Sequence, residues 1–130
     1  MAPGQGGTWI IAIGEMPDIR NALPSAIRNE GWQWDRFPTL DTFLAAPIPP
    51  RTIVLPVIDT FTMMSLKLIH DIAVVLGLPV VVLGLERHPM RVKAALEAGA
   101  DDVIPFPTCT AEVIARLRAI ARVALPQDDG

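Results

Sequence analysis

The sequence predicts an α/β fold: a doubly wound, five-stranded parallel sheet with helices on both faces. Three observations predict it. Strand-like and helical patterns alternate five times along the chain. Three strand segments, at 9–13, 53–58 and 79–83, are almost wholly apolar, as strands buried on both faces are. The length, 130 residues, is that of one ordinary domain and lets folding bury roughly two-thirds of the surface the unfolded chain exposes. Right-handed crossovers leave few topologies for five βα units, and the flavodoxin-like strand order 2-1-3-4-5 is the commonest.

Each element has its own signal. Residues 1–8 read as a disordered lead-in, 9–124 as the domain, and 125–130 as a tail or the start of a linker. The run Trp9-Ile10-Ile11-Ala12-Ile13 is the first strand. Pro17-Asp18 opens a helix carrying Ile19, Leu23, Ala26 and Ile27 on one face, with a kink expected at Pro24 and a stop at Gly31. The stretch 32–37 alternates large and polar residues, a strand with one wet face. There Trp32 and Trp34 share a side and read as packing residues rather than a binding platform. Thr39 or Asp41 starts a short second helix, which the prolines at 47, 49 and 50 end.

The third strand, 53–58, contains Pro56, whose missing N–H must fall at a strand end or an unpaired position. Residues 63–76 repeat apolar side chains at helical spacing up to Gly77. After the fourth strand, 79–83, comes a helix at 89–98 closed by Gly99. A fifth strand starts at Val103-Ile104, and a last helix covers 110–123 with Thr110 as its N-cap.

Composition removes several classes of function. Hydrophobic residues make up 51% of the chain and charged residues 19%, which excludes intrinsic disorder for its body. Eleven Lys+Arg against fourteen Asp+Glu leave a formal net charge of −3, unlike a surface built to hold phosphate backbones. No direct nucleic-acid binding by this domain is therefore expected. The lone cysteine, Cys109, allows no internal disulfide or Cys-rich metal site, which fits a reducing cytoplasm. The longest apolar stretch, 72–85, is broken by Gly77 and Pro79 and is too short for a bilayer. The amino terminus lacks the apolar core of a secretory signal. No membrane association is expected.

In this fold class, ligands and chemistry sit beyond the carboxyl ends of the strands. The carboxyl-terminal half carries a family likeness: Pro79-Val80-Val81-Val82-Leu83, then Leu96-Glu97-Ala98-Gly99-Ala100-Asp101-Asp102 before a strand and Pro107, then Glu112 to Arg118. This half resembles the receiver domain of two-component response regulators. By element order the resemblance covers essentially the whole chain; residue by residue it is close over 79–122.

The resemblance implies a fold, a site and partners. A working receiver accepts phosphate on an aspartate ending its third strand. Two acidic residues after the first strand hold Mg2+, a Ser or Thr ends the fourth, and a Lys before the fifth-strand proline pairs with the phosphate. The chemistry requires them: a hard cation needs carboxylate oxygens, and a phosphoryl group needs a cation and a hydroxyl donor. Here the acidic pair falls on Gly14 and Glu15, the acceptor on Pro56 or Val57, the hydroxyl on Gly84 and the lysine on Phe106, directly before Pro107. The expectation is an atypical, or pseudo-, receiver: not an enzyme, without a cofactor, and with an empty metal site. Phe106 is expected to plug the vacated pocket, and the Phe106–Pro107 bond to be cis. The alternative acceptor is Asp59, if the third strand runs two residues longer.

Receivers of the class joined to winged-helix DNA-binding domains dimerise through the fourth helix, fifth strand and fifth helix. The matching charges are Arg91, Lys93, Asp101, Asp102, Glu112, Arg116, Arg118 and Arg122. A homodimer is expected, with an output domain or partner protein beyond the chain, or with the chain as a stand-alone adaptor or ligand-sensing module. The competing reading is an exposed helix face on which Glu112 and Arg116, four apart, pair with each other. Other candidates are weaker. His70 and Asp71 are neighbours on a helix and do not face each other. His88 reads as a solvated loop residue, and Cys109 as a packed residue at a helix start rather than a redox sensor. The glycines at 4, 6 and 7 precede the first strand and cradle no phosphate.

Overall fold

The computed structural model describes residues 7–15, 22–84, 88–105 and 108–125. Its elements run β1 (Trp9–Ile13), α1 (Leu23–Asn29), β2 (Gln33–Phe37), α2 (Leu40–Leu44), β3 (Thr52–Pro56), α3 (Met63–His70), β4 (Val81–Gly84), α4 (Pro89–Ala98), β5 (Asp102–Pro105) and α5 (Thr110–Ala124). A π-helical turn, Asp71–Val75, continues α3. Of the expected disordered lead-in 1–8, residues 7 and 8 are described, and Thr8 is not disordered: it is buried, its carbonyl accepting the Gln33 N–H at 2.9 Å as the chain enters β1. Residues 1–6, most of the tail, and the helix start at Pro17-Asp18 with Ile19 lie outside the described residues.

Every strand pair is parallel. Ladders join β2-β1-β3 and, separately, β4-β5. The expected order 2-1-3-4-5 therefore takes the form of two ladders, met by isolated parallel bridges at Val54–Val80 and Val57–Leu83. The reason is Pro56. Across the junction the Val54 N–H donates to the Pro79 carbonyl and the Ile58 N–H to the Leu83 carbonyl, each at 2.9 Å. Partners advance by two on both strands, so the rung between would run from residue 56 to the Val81 carbonyl. Proline has no N–H to give it.

Packing holds the five strands in one layer. Alternate residues point to opposite faces, and each face buries its own cluster. Ile10, Ile53, Leu83 and Ile104 meet Leu23 and Ile27 of α1 and Val113 and Leu117 of α5, with Trp32 and Trp34 packed against the edge. On the other face Ile11, Val54, Val82 and Val103 meet Phe43 of α2, Ile69 and Ile72 of the α3 region, and Ala95 of α4. Both clusters draw on strands from both ladders. At about 1.5–3 kcal/mol per buried aliphatic side chain, this packing outweighs one missing rung.

Several local expectations change. Pro24 does not kink α1: it lies in the first turn of the described helix, where a missing N–H costs nothing. The N-cap of α5 is Cys109, with no side-chain bond, so Thr110 stands inside the helix. The third helix is α-helical only to His70; there the Leu76 N–H reaches back five residues to the Asp71 carbonyl at 2.9 Å. Thr39 does cap α2, exchanging bonds with Thr42.

Pro56→Ala supplies the missing donor. The gain of about 1 kcal/mol from one hydrogen bond is nearly offset by about 0.4–1 kcal/mol from the freer unfolded chain. Stability is expected to change little, while the new amide at 56 should be as protected as Val54 and Ile58 in native-state hydrogen exchange. Fast exchange at 56 would contradict the seam.

Candidate functional site

The strand register brings Gly14, Glu15, Pro56, Val57 and Gly84 to one edge, the carboxyl end of the sheet. Ile13 pairs with Pro56, and the Val57 N–H donates to the Ile13 carbonyl at 2.9 Å. Gly14 is thereby set against Val57, and Gly84 against Ile58. Both glycines have positive φ, 114° and 135°, which non-glycine residues rarely adopt. A Cβ at Gly14 would stand 2.8 Å from the Val57 carbonyl oxygen, and one at Gly84 would run into the Ile58 carbonyl oxygen. At these two positions backbone occupies the space a side chain would need. Phe106 and Pro107, with the expected plug and cis bond, lie outside the described residues.

The site carries one charge pair that the sequence reading missed. Arg36, next to last on β2, donates from Nη1 to the Gly14 carbonyl at 3.1 Å and lies 4.0 Å from the Glu15 carboxylate. Glu15 points outward, its side chain 85% exposed, so its charge faces a guanidinium and water. The only signal for this was an arginine near the end of an edge strand, which reads equally well as solvated surface. Asp59 is exposed, one residue past the last rung at Ile58.

The other candidate surface lies between α4, β5 and α5. Val92, Leu96, Val103 and Pro105 line an open groove of about 620 Å3, together with Lys93 and Arg116. Arg116 donates to Asp102 at 3.2 Å and to Glu112 at 3.1 Å. The Asp102 hydrogen bond above all holds the Arg116 pKa above its ordinary value, against partial desolvation. Lys93 pairs with Glu97 at 2.9 Å.

The remaining predicted charges turn elsewhere. Arg118 reaches across to Glu30 beyond α1. Arg91 lies 5.7 Å over the Phe61 ring, a cation–π distance. Asp101 accepts the Val80 N–H at 2.8 Å, fastening the start of β4 to β5. Arg122 is exposed on the last turn of α5. His88 is not a plain loop residue: it is the N-cap of α4, its Nδ1 a long 3.4 Å from the Arg91 N–H. Asp71 lies 3.9 Å from His70, but its strong partner is Lys67 at 2.8 Å, whose hydrogen bond lowers the Asp71 pKa. Cys109 is exposed. Among the described residues no cluster of His, Cys, Asp or Glu is arranged to hold a metal ion, and no helix is long and apolar enough to cross a membrane.

Solved structures share this architecture. A two-component response regulator from Clostridium difficile aligns over 89% of this chain and 97% of its own, with a TM-score of 0.75 and 19% identity. A response regulator from Thermotoga maritima aligns over 89% and 98%, with a TM-score of 0.75 and 21% identity. The chain has the CheY-like receiver fold. The receiver domain of NtrX from Brucella abortus is similar too, with a TM-score of 0.73 and 23% identity over 88% of this chain and 98% of that one. In sequence, the response regulator MprA of Mycobacterium avium (strain 104) is 42% identical over 52 residues, 40% of this chain and 23% of that protein. Its counterpart in Mycolicibacterium paratuberculosis matches equally. The match thus takes in under a quarter of those relatives' length. No protein-family model matches the chain.

On this receiver fold, refitting a hydroxyl at position 84 meets backbone rather than space. Gly84→Thr combines a φ of 135° with a collision against the Ile58 carbonyl. It is expected to cost about 2 kcal/mol or more in urea unfolding. Arg36→Ala, which removes an exposed pair, is expected to cost under about 1 kcal/mol. Equal, small losses in both would contradict the closed edge.

Proposed function

We propose that this chain is a receiver-like signalling domain of an atypical two-component response regulator that does not accept phosphate and acts through protein–protein contacts. It is a binding module and not an enzyme. The observation that carries the reading is the end of β3. The acceptor position falls on Pro56 or Val57, and the Val57 and Ile58 carbonyl oxygens approach Gly14 and Gly84 too closely for side chains at those places. Phosphoryl transfer needs a carboxylate nucleophile and a cation to offset the charge that builds up. Neither Pro56 nor Val57 has a carboxylate. Glu15, with Arg36 as its neighbour, is a poor Mg2+ ligand set, because Mg2+ asks for near-octahedral oxygen coordination.

The contact surface proposed is the α4–β5–α5 face, as a homodimer. Its groove has an apolar floor rimmed by charges of both signs, a composition that suits an interface with a hydrophobic centre and polar rim. In the isolated chain Arg116 is satisfied by Asp102 and Glu112. Dimerisation therefore adds partners to charges already paired, and apolar closure of the groove supplies most of the drive. In a longer protein this face would set the spacing of an output domain, including one that regulates transcription.

Incubation with acetyl phosphate and Mg2+, read by intact mass, is expected to leave the chain unmodified. A phosphoryl adduct mapped to Asp59 would overturn the reading. For the dimer, sedimentation at tens of micromolar is expected to show association that Arg116→Glu weakens, since a reversed charge in a partly desolvated network faces Asp102 and Glu112. A chain that stays monomeric there contradicts this interface.

A further inference from the structure

The outer face of α3 is apolar at both ends and charged in the middle. Met63 and Met64 are 78% and 70% exposed, and Val74 and Val75 are 60% and 69% exposed. Between them Lys67 and Asp71 form an ion pair at 2.8 Å. The inner face is fully used: Ile69 and Ile72 are buried against the sheet. The π-turn over Asp71–Val75 alters the helical phase just where the two valines stand. Such turns recur at functional sites.

The pattern has an internal symmetry. Met63 with Val75, Met64 with Val74, and Lys67 with Asp71 are three pairs centred on one level of the helix, that of Ile69. A two-fold axis at that level would lay α3 antiparallel on a second α3. Each methionine pair of one chain would then meet a valine pair of the other, and each Lys67 would meet the partner copy's aspartate at position 71. An isologous contact requires this self-complementarity. The spacing of the two ends, roughly 16 Å at 1.5 Å per residue, suits an antiparallel helix pair, and methionine adapts its shape to an opposing surface. The alternative occupant, a segment of another protein, would have to supply the same alternation of apolar, acidic and basic groups. A second copy of this chain supplies it already.

We infer that the outer face of α3 is a second self-association surface, on which two chains pair antiparallel through Met63, Met64, Val74 and Val75 with crossed Lys67–Asp71 ion pairs. It shares no residue with the α4–β5–α5 face and does not depend on the reading of that face. One helix face is smaller than the roughly 800 Å2 per partner of a standard interface, so the contact is weak and concentration-dependent. A chain carrying two isologous surfaces assembles beyond the dimer, which would make clustering, rather than phosphorylation, the variable this domain responds to.

Charge reversal with mixing provides the test. By sedimentation up to hundreds of micromolar, Lys67→Glu alone and Asp71→Lys alone are each expected to weaken α3 pairing by about tenfold or more. An equimolar mixture of the two variants should recover it, because every crossed pair is again of opposite sign. Val74→Lys serves as a second probe and is expected to weaken association without recovery on mixing. Lys67 and Val74 are exposed and Asp71 is partly buried, its side chain 28% exposed, so circular dichroism checks that each variant is folded. The inference is overturned by a monomeric wild-type chain throughout, by a mixture that associates no better than its components, or by association that survives both reversals and falls only with Arg116→Glu.

Discussion

Between β3 and β4 the peptide hydrogen bonds run from Val54 to Pro79 and from Ile58 to Leu83, and the rung between them is absent because residue 56 is proline. Much of the molecule follows from that one missing donor. The sheet divides into two ladders. The two packed faces, rather than continuous backbone pairing, hold β4 and β5 against β1 and β3. In the reading proposed above, the acceptor position falls on this proline or on Val57 beside it, so the seam and the proposed loss of phosphate chemistry meet at one strand end. Past it, the chain runs close enough to β1 and β4 that only glycine fits at 14 and 84.

Among the described residues the ion pairs lie at the margins of this fold. At the carboxyl edge of the sheet the described charges are Glu15 with a neighbouring arginine on β2, and Asp59 just past β3. The well-made ion pairs lie on helices and at strand edges: Arg116 with Asp102 and Glu112, Lys93 with Glu97, and Lys67 with Asp71. Exposed pairs of this kind add little to stability. Their arrangement beside apolar side chains is more informative, since a charged rim around an apolar centre gives register and partner choice. The groove against α4 and the outer face of α3 both have that composition.

Much of the architecture was legible in the sequence. Strands buried on both faces are written as uninterrupted apolar runs, and β1, β3 and β4 fall where those runs fall. The capping of α2 by Thr39 and the Glu112–Arg116 pair follow from local spacing. What depended on register was hidden. Nothing within 53–58 says that the lost N–H of Pro56 would have met Val81, because pairing is set by the neighbouring strand. Arg36 looked like a solvated edge residue until the pairing of Ala12 with Arg36 placed it beside Gly14. The π-turn after His70 was invisible, since Ile69, Ile72 and Leu76 fit an ordinary helical stripe. At the site, the resemblance picked out Gly14, Glu15, Pro56 or Val57, Gly84 and Phe106, but the carbonyl oxygens that close around the two glycines are backbone atoms and have no sequence signature.

The central claim is that the carboxyl end of this sheet has no place for a metal ion or a phosphoryl group. Amide spectra of the uniformly 15N-labelled chain, titrated with Mg2+ and then with beryllofluoride, address it most directly. The account predicts that the Gly14, Glu15, Ile58, Asp59 and Gly84 amides stay where they are through both additions. Saturable shifts converging on those residues would contradict it.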